Sequence, residues 1–158
     1  MPRPYNRWVT RYYTIDEANG RIAELREVLE RLRDEREALV ELRDLAVQRL
    51  ARVQAATGSS GGPTVDDEAL ADLAAGDPEL RRIRLRMQGL IDQMQADVGR
   101  LDEENIVLRD IPTGLIDLPA LVSGRPVWLC WRLGEDDLAW WHGHDDGYAG
   151  RRPLTELE

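Results

Sequence analysis

Zinc and its neighbours in the first transition row are held by thiolate, imidazole and carboxylate groups, and one part of this sequence gathers all three. His142-Gly143-His144-Asp145-Asp146 sets two imidazoles and two carboxylates within five residues, with Cys130 a short distance before them. The set this nominates is His142, Asp146 and Cys130, for a divalent transition metal such as zinc. On a continuing strand His142 and His144 share a face. Cys130 joins that face only if the two strands pair with an even register sum, as a three-residue loop Glu135-Asp136-Asp137 gives. A four-residue loop from Gly134 instead sets Cys130 opposite Trp141 and turns His142 to the other face. Neither a CxxC nor an HExxH spacing is present.

Other chemistry is thinner. Cys130 with His142 could form a nucleophile and base, yet a cysteine between Trp128 and Trp131 is expected to be buried and structural. Arg132 and Arg151 are candidates for holding an anionic ligand through charge-assisted hydrogen bonds, Arg151 beside Gly147 and Gly150. Nearby acids compete for the same arginines. Asp117, Glu135 and Tyr148 lie in this part too, as do Trp140 and Trp141. An aromatic wall with a few polar groups suits a binding site and equally a small β core with a polar rim. The glycines form no phosphate loop, and Asp66-Asp67-Glu68 lacks calcium-loop spacing. All 21 basic residues are arginine, which excludes a lysine Schiff base or a P-loop lysine.

The elements that must position these residues can be read along the chain. Residues 1–13 form a leader whose aromatics, Tyr5, Trp8, Tyr12 and Tyr13, are expected to dock on the body. Thr14-Ile15-Asp16-Glu17 is a capping box. It opens a helix over about 15–56, in which Ala18, Ile22, Leu25, Leu29, Leu32, Leu39, Leu42, Ala46, Leu50 and Val53 recur at mostly helical steps. Thr57-Gly58-Ser59-Ser60-Gly61-Gly62-Pro63 breaks it, and about 57–77 reads as a flexible loop with a short helix at 65–75. Asp77-Pro78 restarts a helix, along which Leu80, Ile83, Met87, Leu90, Met94, Val98 and Leu101 make a near-heptad seam. Beyond Asn105 the pattern turns to strands: 106–108, a short strand 115–118 ended by Pro119, a long one at 127–133, and 138–142. A loop-like tail follows from Gly143. The expected fold is α+β: a long, coiled-coil-like antiparallel helical hairpin over 1–105, then a small antiparallel meander of three or four strands over 106–158.

The bulk numbers narrow the partners. A net charge of −9 opposes both a phosphate-backbone binder and adsorption to anionic lipid, so neither nucleic acid nor membrane is expected. No apolar run approaches the roughly 20 residues of a membrane span. The stretch from Met1 to Thr14 lacks the apolar middle of a signal peptide, and a lone cysteine forms no internal disulfide; the cytoplasm is the expected compartment. The apolar stripe over 39–53 extends past what a helix starting near 78 must cover, which predicts a homodimer or a helical partner.

At Tyr12-Tyr13-Thr14-Ile15-Asp16-Glu17-Ala18-Asn19 the chain resembles an uncharacterised bacterial and archaeal family known as a domain of unknown function. The resemblance runs over about 12–154. It continues at Gly114-Leu115-Ile116-Asp117-Leu118-Pro119 and at Cys130-Trp131-Arg132-Leu133-Gly134-Glu135. It closes at Trp141-His142, Asp145 or Asp146 with Gly147, and Gly150-Arg151. It implies this fold and a C-terminal focus, and brings no activity. The function expected from the sequence is therefore a non-catalytic binding or scaffold role with self-association through the hairpin. The alternative is a small metal-dependent enzyme or sensor.

Overall fold

The computed structural model of the chain describes residues 10–57 and 75–157. Two helices, α1 (Ile15–Thr57) and α2 (Pro78–Glu103), precede strands β1 (Val107–Asp110), β2 (Leu115–Val122), β3 (Arg125–Arg132), β4 (Trp140–His142) and β5 (Arg152–Pro153). The strands form one antiparallel sheet in sequential order, so the α+β class holds. Tyr5, Trp8 and most of the 57–77 loop, with the short helix expected in it, lie outside the described residues.

The helix ends follow local chemistry. The Glu17 amide donates to Thr14 Oγ1 at 3.1 Å and the Thr14 amide to Glu17 Oε2 at 3.0 Å, a reciprocal capping box. Asp77 Oδ1 accepts the amides of Glu79 and Leu80 at 2.9 and 3.1 Å, satisfying donors that the first turn leaves orphaned. The far end of α2 closes as a Schellman motif: the Ile106 amide bonds the Leu101 carbonyl and the Asn105 amide that of Asp102. Asn105 takes the left-handed φ of 61° that the motif needs. This reversal delivers the chain into β1.

The chain divides into two compact units, residues 34–96 and residues 1–33 with 97–158. In the first, Leu42 and Ala46 of α1 pack with Leu80 and Ile83 of α2, flanked by Met87 and Leu90. Arg49 donates to Asp77 Oδ2 from Nε and Nη2 at 3.0 and 2.7 Å. The stripe expected to lack a cover is itself buried at Leu42, Ala46 and Leu50. Among the described residues of this unit, Val40, Leu45 and Leu85 are the large apolar residues left exposed.

In the second unit Ala18, Ile22, Leu25, Leu29 and Leu32 are buried on α1. On α2 the seam departs from expectation. Val98 is exposed, and Asp97 takes the inward position, where the Arg31 guanidinium forks onto it at 2.7 and 2.8 Å. A step of three from Met94 followed by four to Leu101 fits the period as well as four then three. An ion pair on the inward side overrode polarity.

The sheet also departs from expectation in two places. Strand β2 does not stop at Pro119 but continues to Val122, paired with β3 throughout. Pro119 costs no ladder bond because β1 pairs β2 only as far as Asp117. The Pro119 carbonyl faces that open edge, where it accepts the Tyr13 amide at 2.7 Å. Of the leader aromatics described, Tyr13 docks and Tyr12 stays exposed. The tail, read as loop, adds β5 on β4, making five strands in place of three or four.

Candidate functional site

Alternation decides which side chains meet. Asp117 on β2 pairs with Cys130 on β3, and Cys130 with Trp140 on β4. The β3–β4 register is thus the even one, and His142, opposite Trp128, shares the face of Cys130. Asp117, Cys130 and His142 come from three successive strands to one face, all buried. The opposite face carries Ile116, Leu118, Leu129 and Trp131, also buried. There the Arg26 guanidinium of α1 lies 5.6 Å from the Trp131 ring centre and donates to the carbonyls of Glu135 and Asp136. One face anchors the sheet to a helix, and the other is left for the polar cluster.

One donor atom from each of Asp117, Cys130 and His142 lies within 4.8 Å of the others. The imidazole is oriented by its backbone. Nδ1 lies 2.8 Å from the Gly143 carbonyl, which only accepts, so Nδ1 carries a proton. In the neutral ring Nε2 is then a lone pair, and it points at Asp117 Oδ2, 3.0 Å away. Two acceptors facing each other need a cation between them, either a proton or a metal. A carbonyl fixing Nδ1–H so that Nε2 is free to ligate is the usual support of a metal-bound histidine. Asp117 adds a second sign. Oδ2 also accepts Arg109 Nε at 2.8 Å, whereas Oδ1 is buried and, among the described residues, has no hydrogen-bond partner, an arrangement costly to leave uncompensated.

The same geometry favours a structural or ligating Cys130 over a nucleophile. Both imidazole nitrogens face oxygen atoms, the Gly143 carbonyl and Asp117 Oδ2. Burial first, then the charge of Asp117, pushes the thiol up to about 12. That is far from the depressed values of reactive cysteines.

The cluster forms the floor of a pocket of about 290 Å³, lined further by Arg109, Leu115, His144, Asp145, Asp146 and Tyr148. The tail closes over it through tight turns. The Asp146 amide reaches the Gly143 carbonyl and the Gly150 amide the Gly147 carbonyl. A Cβ at Gly150 would stand 2.8 Å from Asp146 Cβ, so this turn demands glycine.

The nominated residues thus have separate fates. Cys130 and His142 meet, and their carboxylate neighbour is Asp117. Asp146 lies in the pocket wall, exposed, its carboxylate against Gly143 and Gly150. His144 sits at the rim, its ring 5.1 Å from that of Trp128. Arg151 is an internal brace: it grips Glu135 with two bonds of 2.8 Å, donates to the Cys130 carbonyl at 3.3 Å and lies against Trp140 and Tyr148. Arg132 lies over Tyr148. The arginine that reaches the pocket is Arg109, which sequence reasoning passed over: the strand expected at 106–108 stops one residue short of it, and only the structure carries β1 on to Asp110.

Part of the C-terminal stretch that carries the resemblance meets here. Asp117, Cys130, His142 and Asp146 line the pocket, and Glu135 and Arg151 brace its edge. Among the described residues no helix is long and apolar enough to cross a membrane. None of the curated proteins and none of the solved structures compared with the chain matches it. The family model of an uncharacterized conserved protein (DUF2203) matches residues 11–154, nearly the whole length, and the chain belongs to that family.

Proposed function

We propose that this protein binds a divalent transition metal, with zinc the best match, through Asp117, Cys130 and His142. The observation that carries the reading is the convergence of three buried donor atoms of the right kinds from three adjacent strands. A thiolate, an imidazole and a carboxylate suit zinc, and a metal held by these three protein donors, which also line a pocket, would keep a fourth position for water or a ligand, as working rather than purely structural sites do. When bound, such a metal supplies Lewis acidity to a water or to a ligand oxygen. The test is metal analysis of untagged protein, with zinc or cobalt(II) added back. Near-stoichiometric loading that is lost in His142→Ala and Asp117→Ala, both still folded, is expected. Loading that survives both substitutions, or a wild-type protein that takes up neither ion, refutes the site.

A second reading, self-association through the helices, is favoured by the exposure of Val40, Leu45 and Leu85, the last at 67%. Apolar residues this open on a helix pair can serve a second chain. Light scattering behind size exclusion should then give a dimer mass that Leu45→Glu with Leu85→Glu returns to the monomer. A monomer at high concentration in the unmutated protein sinks this reading.

A further inference from the structure

We propose that the pocket takes a small ligand carrying one oxyanion group, a carboxylate or a phosphate, held between the metal's open position and Arg109. This deepens the metal reading and rests on it.

Three observations support that ligand class. Arg109 uses only Nε on Asp117, at 2.8 Å. Among the described residues its two terminal nitrogens take no protein partner, although its side chain lines the pocket and is 43% exposed. A guanidinium anchored at one nitrogen and open at the other two offers the planar fork that matches two oxygens of one oxyanion. The ring of Trp128 lies 5.3 Å from the guanidinium carbon and limits its swing, so the fork is held in place before a ligand arrives.

The remaining wall sets size and charge. A pocket of about 290 Å³ lies at the lower end of small-molecule sites. Leu115 gives it an apolar side, while Asp145 and Asp146 put two exposed carboxylates on the same pocket. Those two acids oppose a polyanion. They leave room for a single oxyanion group on a small body, with the metal and Arg109 together meeting its charge. Asp117 links the two cations, since the oxygen that accepts Arg109 belongs to a carboxylate proposed to ligate the metal. Arg109 would therefore be both an anchor for the ligand and a positioning residue for the metal.

The experiment is a titration of cobalt(II)-saturated protein with acetate and, separately, with inorganic phosphate, followed by the visible absorption of the cobalt. One of the two is expected to change the spectrum at millimolar concentration or below, and which one does so identifies the oxyanion. Arg109→Ala and Arg109→Lys, at saturating cobalt, should each weaken that response at least tenfold, because lysine keeps the charge and loses the fork. Cobalt that loads normally but answers neither anion overturns the proposal while the metal site stands. So does an undiminished response in Arg109→Ala, or a response lost instead in Arg132→Ala. Failure of cobalt to load removes the metal reading and this inference together.

Discussion

Loading a metal at Cys130 must expel the thiol proton, and the burial of that proton sets how loading depends on pH. Cys130 has no exposed surface, and its thiol is pushed up to about 12. Throughout a window of about pH 6.5–8.5 the metal-free site therefore holds a protonated thiol, and every ion bound as a thiolate complex releases that proton. The release adds one unit to the slope of log K against pH. The Cys130 share of the affinity thus rises about tenfold per pH unit, roughly a hundredfold across the window. The sign is fixed: affinity climbs as pH rises. Cys130→Ser preserves most of the side-chain volume but removes a proton that can be displaced, so its slope should be shallower by one unit. Protons competing at the other two donors are common to both proteins and drop out of the difference. Competition against a chromogenic chelator at three pH values gives the slopes, and a pH indicator in weak buffer counts protons released by the wild type. Parallel slopes for the two proteins, both binding tightly, would refute the reasoning, because the metal would then be sitting without the sulfur.

Three further expectations follow from single contacts. Gly114 has φ +62° and a Cβ there would collide with the Leu133 side chain, so Gly114→Ala should cost about 2–5 kcal/mol from left-handed strain and overpacking; a loss under about 1 kcal/mol by urea unfolding contradicts this. Glu135→Ala strands the largely buried Arg151 and should cost about 1.5–3 kcal/mol, the worth of a charged hydrogen bond, with Glu135→Gln losing less in the same assay. The Arg31 fork holds the Asp97 carboxyl below its ordinary value against the opposing effect of burial, so its stabilisation is present above about pH 4 and is lost as pH falls through the lower folded value. Asp97→Asn should flatten the acid limb of stability against pH, and an unchanged limb counts against the pair.

How far the site was legible can be traced residue by residue. Cys130 and His142 were visible because zinc's ligand types are few and their density near 142 stood out. Asp146 was nominated over Asp117 because nearness in sequence is the one distance a sequence displays. Asp117 lies 25 residues from His142, and two strand pairings had to form before they met. The fate of Arg151 was open for the same reason. A guanidinium among acids can hold a ligand or brace the fold, and only the position of Glu135 decided that it braces.

What the sequence determined by itself is the local grammar: the capping box at Thr14, the restart at Asp77-Pro78, the helical stripes and the change to strands after Asn105. Each of these depends on neighbours within about four residues, the reach of helix periodicity and capping bonds. What only the tertiary structure decided is register and partnership. A shift of one residue between β3 and β4 would have sent His142 to the helix-facing side, away from Cys130. The tail becomes β5 only because the edge of β4 is there to pair with it. Asp97 turns inward only because Arg31 waits on the facing helix. These outcomes rest on contacts between residues far apart in the chain, and no short window of sequence contains both partners.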